Sequence, residues 1–173
     1  MNEMFQAQFY FEAALIASEK DSLFNLSLNG ANGKFGFVDI IDNYGGTNAA
    51  NLATYYTGIA YLNTSKYQEA IQYLDKFKAN DANVAPIAKG AIGDAFAQLE
   101  QPVEALKYYE RAASMSSSEL TAPRFLLKAG ITATTLGKTA IALKHFNVII
   151  EKYPKSPEAK KAILYQGKAE AMK

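Results

Sequence analysis

The chain has one histidine, His145, and no cysteine, so the side chains that most often carry nucleophilic, acid-base or metal chemistry near neutral pH are almost missing. A catalytic triad, a general base poised near neutrality or an imidazole metal site would each have to use His145. It stands beside Phe146 in a run of helical period, the setting of a partly buried or surface histidine. The lack of cysteine removes disulfides, thiol nucleophiles and thiolate zinc sites, and leaves the redox compartment open.

The segment Gly30-Ala31-Asn32-Gly33-Lys34-Phe35-Gly36 has the look of a phosphate loop, but its glycine spacing is wrong. Phe35 also stands where a Ser or Thr should follow the lysine to reach magnesium. Asp39 and Asp42 share a helix face if that stretch is helical, as do Glu100 and Glu104. Paired carboxylates serve hydrolysis only where a pocket raises one of their pKa values, and solvated helix faces carry many such pairs. Asn80-Asp81-Ala82-Asn83 lacks a calcium-loop pattern and reads as a turn. Asn25-Leu26-Ser27 and Asn63-Thr64-Ser65 match the weak glycosylation sequon. No catalytic, cofactor-binding or metal-ligating residue is expected, and no cofactor.

What remains is a protein with a core and a surface. A length of 173 residues, 49% of them apolar, suits one domain that buries a substantial core. The formal charge of +1 lacks the cationic excess that phosphate backbones require, so nucleic acid is not an expected partner. The charge is unevenly placed. Residues 1–60 hold Lys20 and Lys34 against six carboxylates, a net of −4, whereas residues 138–173 hold eight lysines against Glu151, Glu158 and Glu170, a net of +5. No stretch approaches the roughly 18 apolar residues that span a bilayer, and Glu12 interrupts the nearest one. Met1-Asn2-Glu3-Met4 opens no signal peptide.

The elements come from an internal repeat. Gly58, Gly93 and Gly130 lie 35 and 37 residues apart, and Ala70, Ala105 and Ala142 repeat the same two spacings. Apolar Tyr67, Ala70, Ile71, Leu74 and Phe77 fall at helical period, and matching runs follow Val103 and Ile141. Turn signals separate the helices of each pair at Asn63-Thr64-Ser65, Glu100-Gln101-Pro102 and Leu136-Gly137-Lys138. Glycine on the first helix lets the second approach, with the alanine as its small counterpart, and Tyr61, Phe96, Leu74, Tyr109 and Phe146 fill the remaining space. No such unit buries its face alone, so neighbours must stack.

On these residues the sequence resembles the tetratricopeptide repeat (TPR) family over about residues 51–154. It departs from the pattern: the usual early Trp is absent, Ala133 replaces an aromatic residue, and Pro102 stands where Tyr67 does. The resemblance implies an all-α, TPR-type helix-turn-helix solenoid occupying residues 1–173 as a single domain. Its repeats are 51–84, 86–117 and 123–154, preceded by a degenerate N-terminal helical pair (1–50) and closed by a capping helix (157–173). Pro157 suits the first position of that last helix. Phe37 to Thr47, Asn51 to Tyr61 and Ala91 to Ala95 are also similar to bacterial envelope TPR domains of the ancillary Sec-translocon subunit and cell-division-coordinator type. That resemblance implies a periplasmic setting and a membrane anchor preceding Met1, although this chain itself inserts in no membrane; the cytoplasm is the alternative.

The TPR resemblance further implies a groove lined by the first helix of each repeat, at its second, fifth, ninth, twelfth and thirteenth positions. Those positions are Leu52, Tyr55, Ile59, Leu62 and Asn63; Ile87, Gly90, Asp94, Ala97 and Gln98; and Arg124, Leu127, Ile131, Thr134 and Thr135. The mixed lining suits an extended peptide or helix of another protein. Tyr55 and Ile59 occupy the first two places of the Lys and Asn constellation that clamps C-terminal carboxylates, so a chaperone-tail receptor is disfavoured. Two functions stand: a non-catalytic interaction scaffold, and a structural module that self-associates through its acidic start and basic end. The oligomeric state is open.

Overall fold

The computed structural model describes residues 4–79 and 83–171. Of the turn expected at Asn80 to Asn83, only Asn83 lies within the described residues. The fold is all-α and of the helix-turn-helix repeat class expected. Among the described residues the elements are α1 (Met4–Ile16), α2 (Lys20–Asn29), α3 (Phe37–Asn43), α4 (Asn48–Asn63), α5 (Tyr67–Lys76), α6 (Val84–Gln98), α7 (Pro102–Met115), α8 (Ala122–Thr135), α9 (Thr139–Lys152) and α10 (Pro157–Glu170). They fall into two compact units, Met1–Lys78 and Ala79–Lys173.

In the first unit α1 pairs with α2, and the short α3 lies against α4, which pairs with α5. The core is aromatic. Phe11 sets its ring edge against Phe24, Phe37 and Tyr56 at centroid distances of 5.5, 6.0 and 4.9 Å, and Phe37 stacks on Tyr56. Residues 1–50 thus hold three helices, α1, α2 and α3, with the helical run interrupted between Ile16 and Lys20. Asp39 starts α3 by accepting a hydrogen bond from the Gly36 N–H at 3.0 Å, the carboxylate half of a capping box. Thr47 does the same for α4, its hydroxyl oxygen accepting from the Ala50 N–H at 3.1 Å.

The Gly30 to Gly36 loop is a hairpin closed on itself. Asn32 and Gly33 both have positive φ, 53° and 72°, the signature of a type I′ turn. A side chain on Gly30 would collide with the Lys34 carbonyl, and one on Gly36 with the Leu28 carbonyl. Backbone crowding accounts for these glycines.

In the second unit each helix packs on the next, and α10 lies on both α9 and α8, burying Ala159, Ala162 and Ala169. The repeat register has a sharper physical cause than a pair of small residues. A Cβ at Gly58, Gly93 or Gly130 would run into the side chain of Leu74, Tyr109 or Phe146 respectively. Glycine faces the bulky residue of the second helix, four places after the alanine. The turns repeat as well. Ser65, Glu100 and Gly137 each adopt positive φ, and the following N–H donates back to the Tyr61, Phe96 or Ala133 carbonyl at 2.9, 2.9 and 2.8 Å. This is the Schellman closure, in which a left-handed residue lets the helix satisfy its last carbonyls.

Candidate protein-binding surface

The candidate chemical residues are taken up by structure. Asp39 caps α3, and its neighbour Asp42 is exposed. Glu104 pairs with Lys107 at 3.1 Å on the surface of α7. His145 is buried on α9, with Nε2 2.9 Å from Glu110 Oε1 on α7. Among the described residues no group of three or more His, Asp or Glu is gathered so as to hold a metal ion.

The groove positions behave according to their place in the repeat. Leu52 on α4, Ile87 on α6 and Arg124 on α8 all occupy the second position and are all exposed. The residue before each explains why. Pro86 and Pro123 are fully buried, so the backbone is anchored there and the next side chain is turned to solvent. On α4 the anchor is Asn51, which exchanges two hydrogen bonds with the Lys78 backbone at 2.8 and 2.9 Å.

Fifth positions differ between the units. In the first, Tyr55 rests against Phe77 and Tyr56 at 5.2 and 5.8 Å; burial and then the neighbouring Tyr56 push its phenol pKa up. In the second unit both fifth positions, Gly90 and Leu127, are buried. Leu127 is buried in the core that Tyr109, Phe125 and Phe146 build. Gly90 is covered by the Phe125 ring, where any Cβ would clash. At Gly90 the cause is the Phe125 side chain of α8, which reaches over the glycine, and at Leu127 it is the packing of α8 against α7 and α9.

Asp94 is also committed within its own unit. Its Oδ1 accepts from the Tyr109 hydroxyl at 2.7 Å and from Lys128 Nζ at 2.5 Å, and the Lys128 ammonium sits 5.5 Å from the Tyr109 ring centroid. The Tyr109 pKa is raised far above its ordinary value, chiefly by burial and then by the Asp94 charge and hydrogen bond. Ile59 and Ile131 are half-buried against their respective cores. Asn63 donates its amide to the Ile59 carbonyl at 2.9 Å, and Gln98 is exposed. In the second unit Ile87, Gln98 and Arg124 are exposed and Ile131 is half-buried.

Sequence reasoning missed two features. Lys128, one repeat length from Asp94, had a findable signal in that spacing and opposite charge. The other is a cleft of about 340 Å³ against Leu120, Lys152, Tyr153 and Ser156, formed where the α7–α8 connection meets the α9–α10 turn. It had no local signal, because two segments distant in sequence build it.

With this geometry in view, comparisons place the chain among known proteins. Tetratricopeptide repeat models match residues 41–85 and residues 125–156, the segments holding the α4–α5 and α8–α9 pairs. Over these two segments the chain is similar to tetratricopeptide repeats. No curated protein matches it. Among solved structures it is similar in fold to PcrH, crystallised in complex with the chaperone binding region of PopB. The TM-score is 0.53 at 20% identity, over 75% of this chain and 98% of that one.

Proposed function

We propose that this chain is a non-catalytic protein-interaction module that holds a peptide or protein segment against the first helices of its repeats. The observation that carries this reading is the second position of every repeat. Leu52, Ile87 and Arg124 stand at the same place in three copies of one packing pattern, and the packing leaves each of them open to solvent. Within the second unit, the apolar Ile87 and the Arg124 guanidinium at equivalent sites suit a segment that is apolar with a carboxylate or carbonyl within reach of the arginine. A protein of similar fold solved in complex with a segment of another protein supports the same reading. The likeness of Phe37 to Thr47 and Asn51 to Tyr61 to envelope TPR domains supports a bacterial envelope setting, on the periplasmic side of a membrane.

Photo-crosslinking tests this. A crosslinking residue at Ile87 or Arg124 should trap one common partner, while the same residue at exposed second-helix positions Lys107 or Lys144 should trap little of it. Equal adducts from both sets would rule out the first-helix surface.

A further inference from the structure

Helix α1 carries apolar side chains on two opposite faces. One face, Met4, Ala7, Phe11 and Ala14, is buried. The opposite face carries Phe5, Phe9 and Ile16, which are 67%, 59% and 90% exposed. A helix of this kind belongs in an interior or at an interface, since two exposed rings and an isoleucine in one line form the sort of patch that marks an association site. Glu12 falls on this same line, between Phe9 and Ile16, and Glu19 and Asp21 follow it.

Helix α10 presents the counterpart. Ile163 and Leu164 are 58% and 59% exposed, and Lys160 and Lys168 lie one turn to either side of Leu164, with Lys161 beside them. Gly167 leaves the outer surface flat: a Cβ there would meet nothing within 4 Å. A glycine in the middle of an exposed helix costs about 1 kcal/mol relative to alanine. A flat seat for a large side chain is a physical reason to keep it. Among the described residues Glu12, Lys160 and Lys161 have no ion pair.

We propose that the α1 face of one copy docks on the α10 face of a second copy of this chain, with Phe5, Phe9 and Ile16 against Ile163, Leu164 and Gly167, and Glu12 among the lysines. The opposite charge of the two apolar patches selects this occupant: α1 on α1 would oppose Glu12 to itself, and α10 on α10 would gather six lysines. The contact is heterologous, so in a pair one copy keeps a free α10 face and the other a free α1 face, and further copies can add. It is independent of the first-helix surface, and loss of one would leave the other standing.

The test uses sedimentation velocity on the full chain over a concentration series, with circular dichroism to confirm folding. Wild-type protein should self-associate, more weakly as salt rises. Phe9→Lys in α1 and Leu164→Glu in α10 should each weaken association at least about tenfold, as expected for a central apolar contact. Because each variant retains the opposite face, mixing the two should restore a complex that stops at a one-to-one dimer. A wild-type monomer at every concentration would overturn the proposal. So would a Leu164→Glu variant that associates as well as wild type, which would mean that α1 pairs with itself, or a mixture that does not combine.

Discussion

Gly93 on α6 lies against the ring of Tyr109 on α7, so closely that a methyl group on the glycine would stand 2.6 Å from Tyr109 Cε1. Ordinary carbon contact begins near 3.5 Å, and the ring is held by its hydroxyl on Asp94. Gly93→Ala should therefore lower the unfolding free energy by about 1–2 kcal/mol, the cost of overpacking exceeding the gain in helix propensity. Gly167→Ala, in open space, should raise it by about 0.5–1 kcal/mol. Guanidinium unfolding followed by circular dichroism measures both. Opposite signs are expected, and a stabilising Gly93→Ala would mean the two helices have room to spare.

The three Schellman turns place a serine, a glutamate and a glycine at one left-handed position. For a residue with a side chain that conformation costs about 1–2 kcal/mol. Glu100→Gly and Ser65→Gly should each stabilise by about 0.5–1 kcal/mol, once the greater freedom of glycine in the unfolded chain is subtracted. Gly137→Ala should destabilise by about as much. The same denaturation measurement decides it, and a neutral Gly137→Ala would remove the strain argument.

Tyr109 ties stability to alkaline pH. Its phenol pKa is raised in the folded protein, whereas the unfolded chain ionises near the ordinary value of 10.0. The stabilisation linked to this residue is thus fully present below pH 10 and is lost as pH rises above it, by up to about 1.4 kcal/mol per pH unit. Tyr109→Phe should flatten that loss. Asp94→Asn should bring the phenol titration, read by ultraviolet difference absorption, closer to its ordinary range. An unchanged titration would mean that Asp94 does not act on Tyr109.

The repeat was legible because it rests on a local necessity. Two helices joined by a tight turn meet at one height, so a small residue must recur at Gly58, Gly93 and Gly130 and a helical apolar face must follow at Ala70, Ala105 and Ala142. Pro157 was visible as a helix start, and α10 begins there.

Other features waited on the tertiary structure. The spacing implied that glycine met alanine, but side-chain direction decides the partner, and it is Leu74, Tyr109 or Phe146 that fills the space above each glycine. Leu127 and Gly90 occupy positions open to a ligand in the expected groove, yet Leu127 is buried in the core of its unit and the Phe125 ring covers Gly90. Asp94 reads as a free carboxylate until Tyr109 and Lys128 arrive from two other helices. Periodicity along one chain states which face of a helix is apolar. Only the neighbour's position states whether that face ends as core, as in Leu127, or stays uncovered, as in Phe5, Phe9 and Ile16.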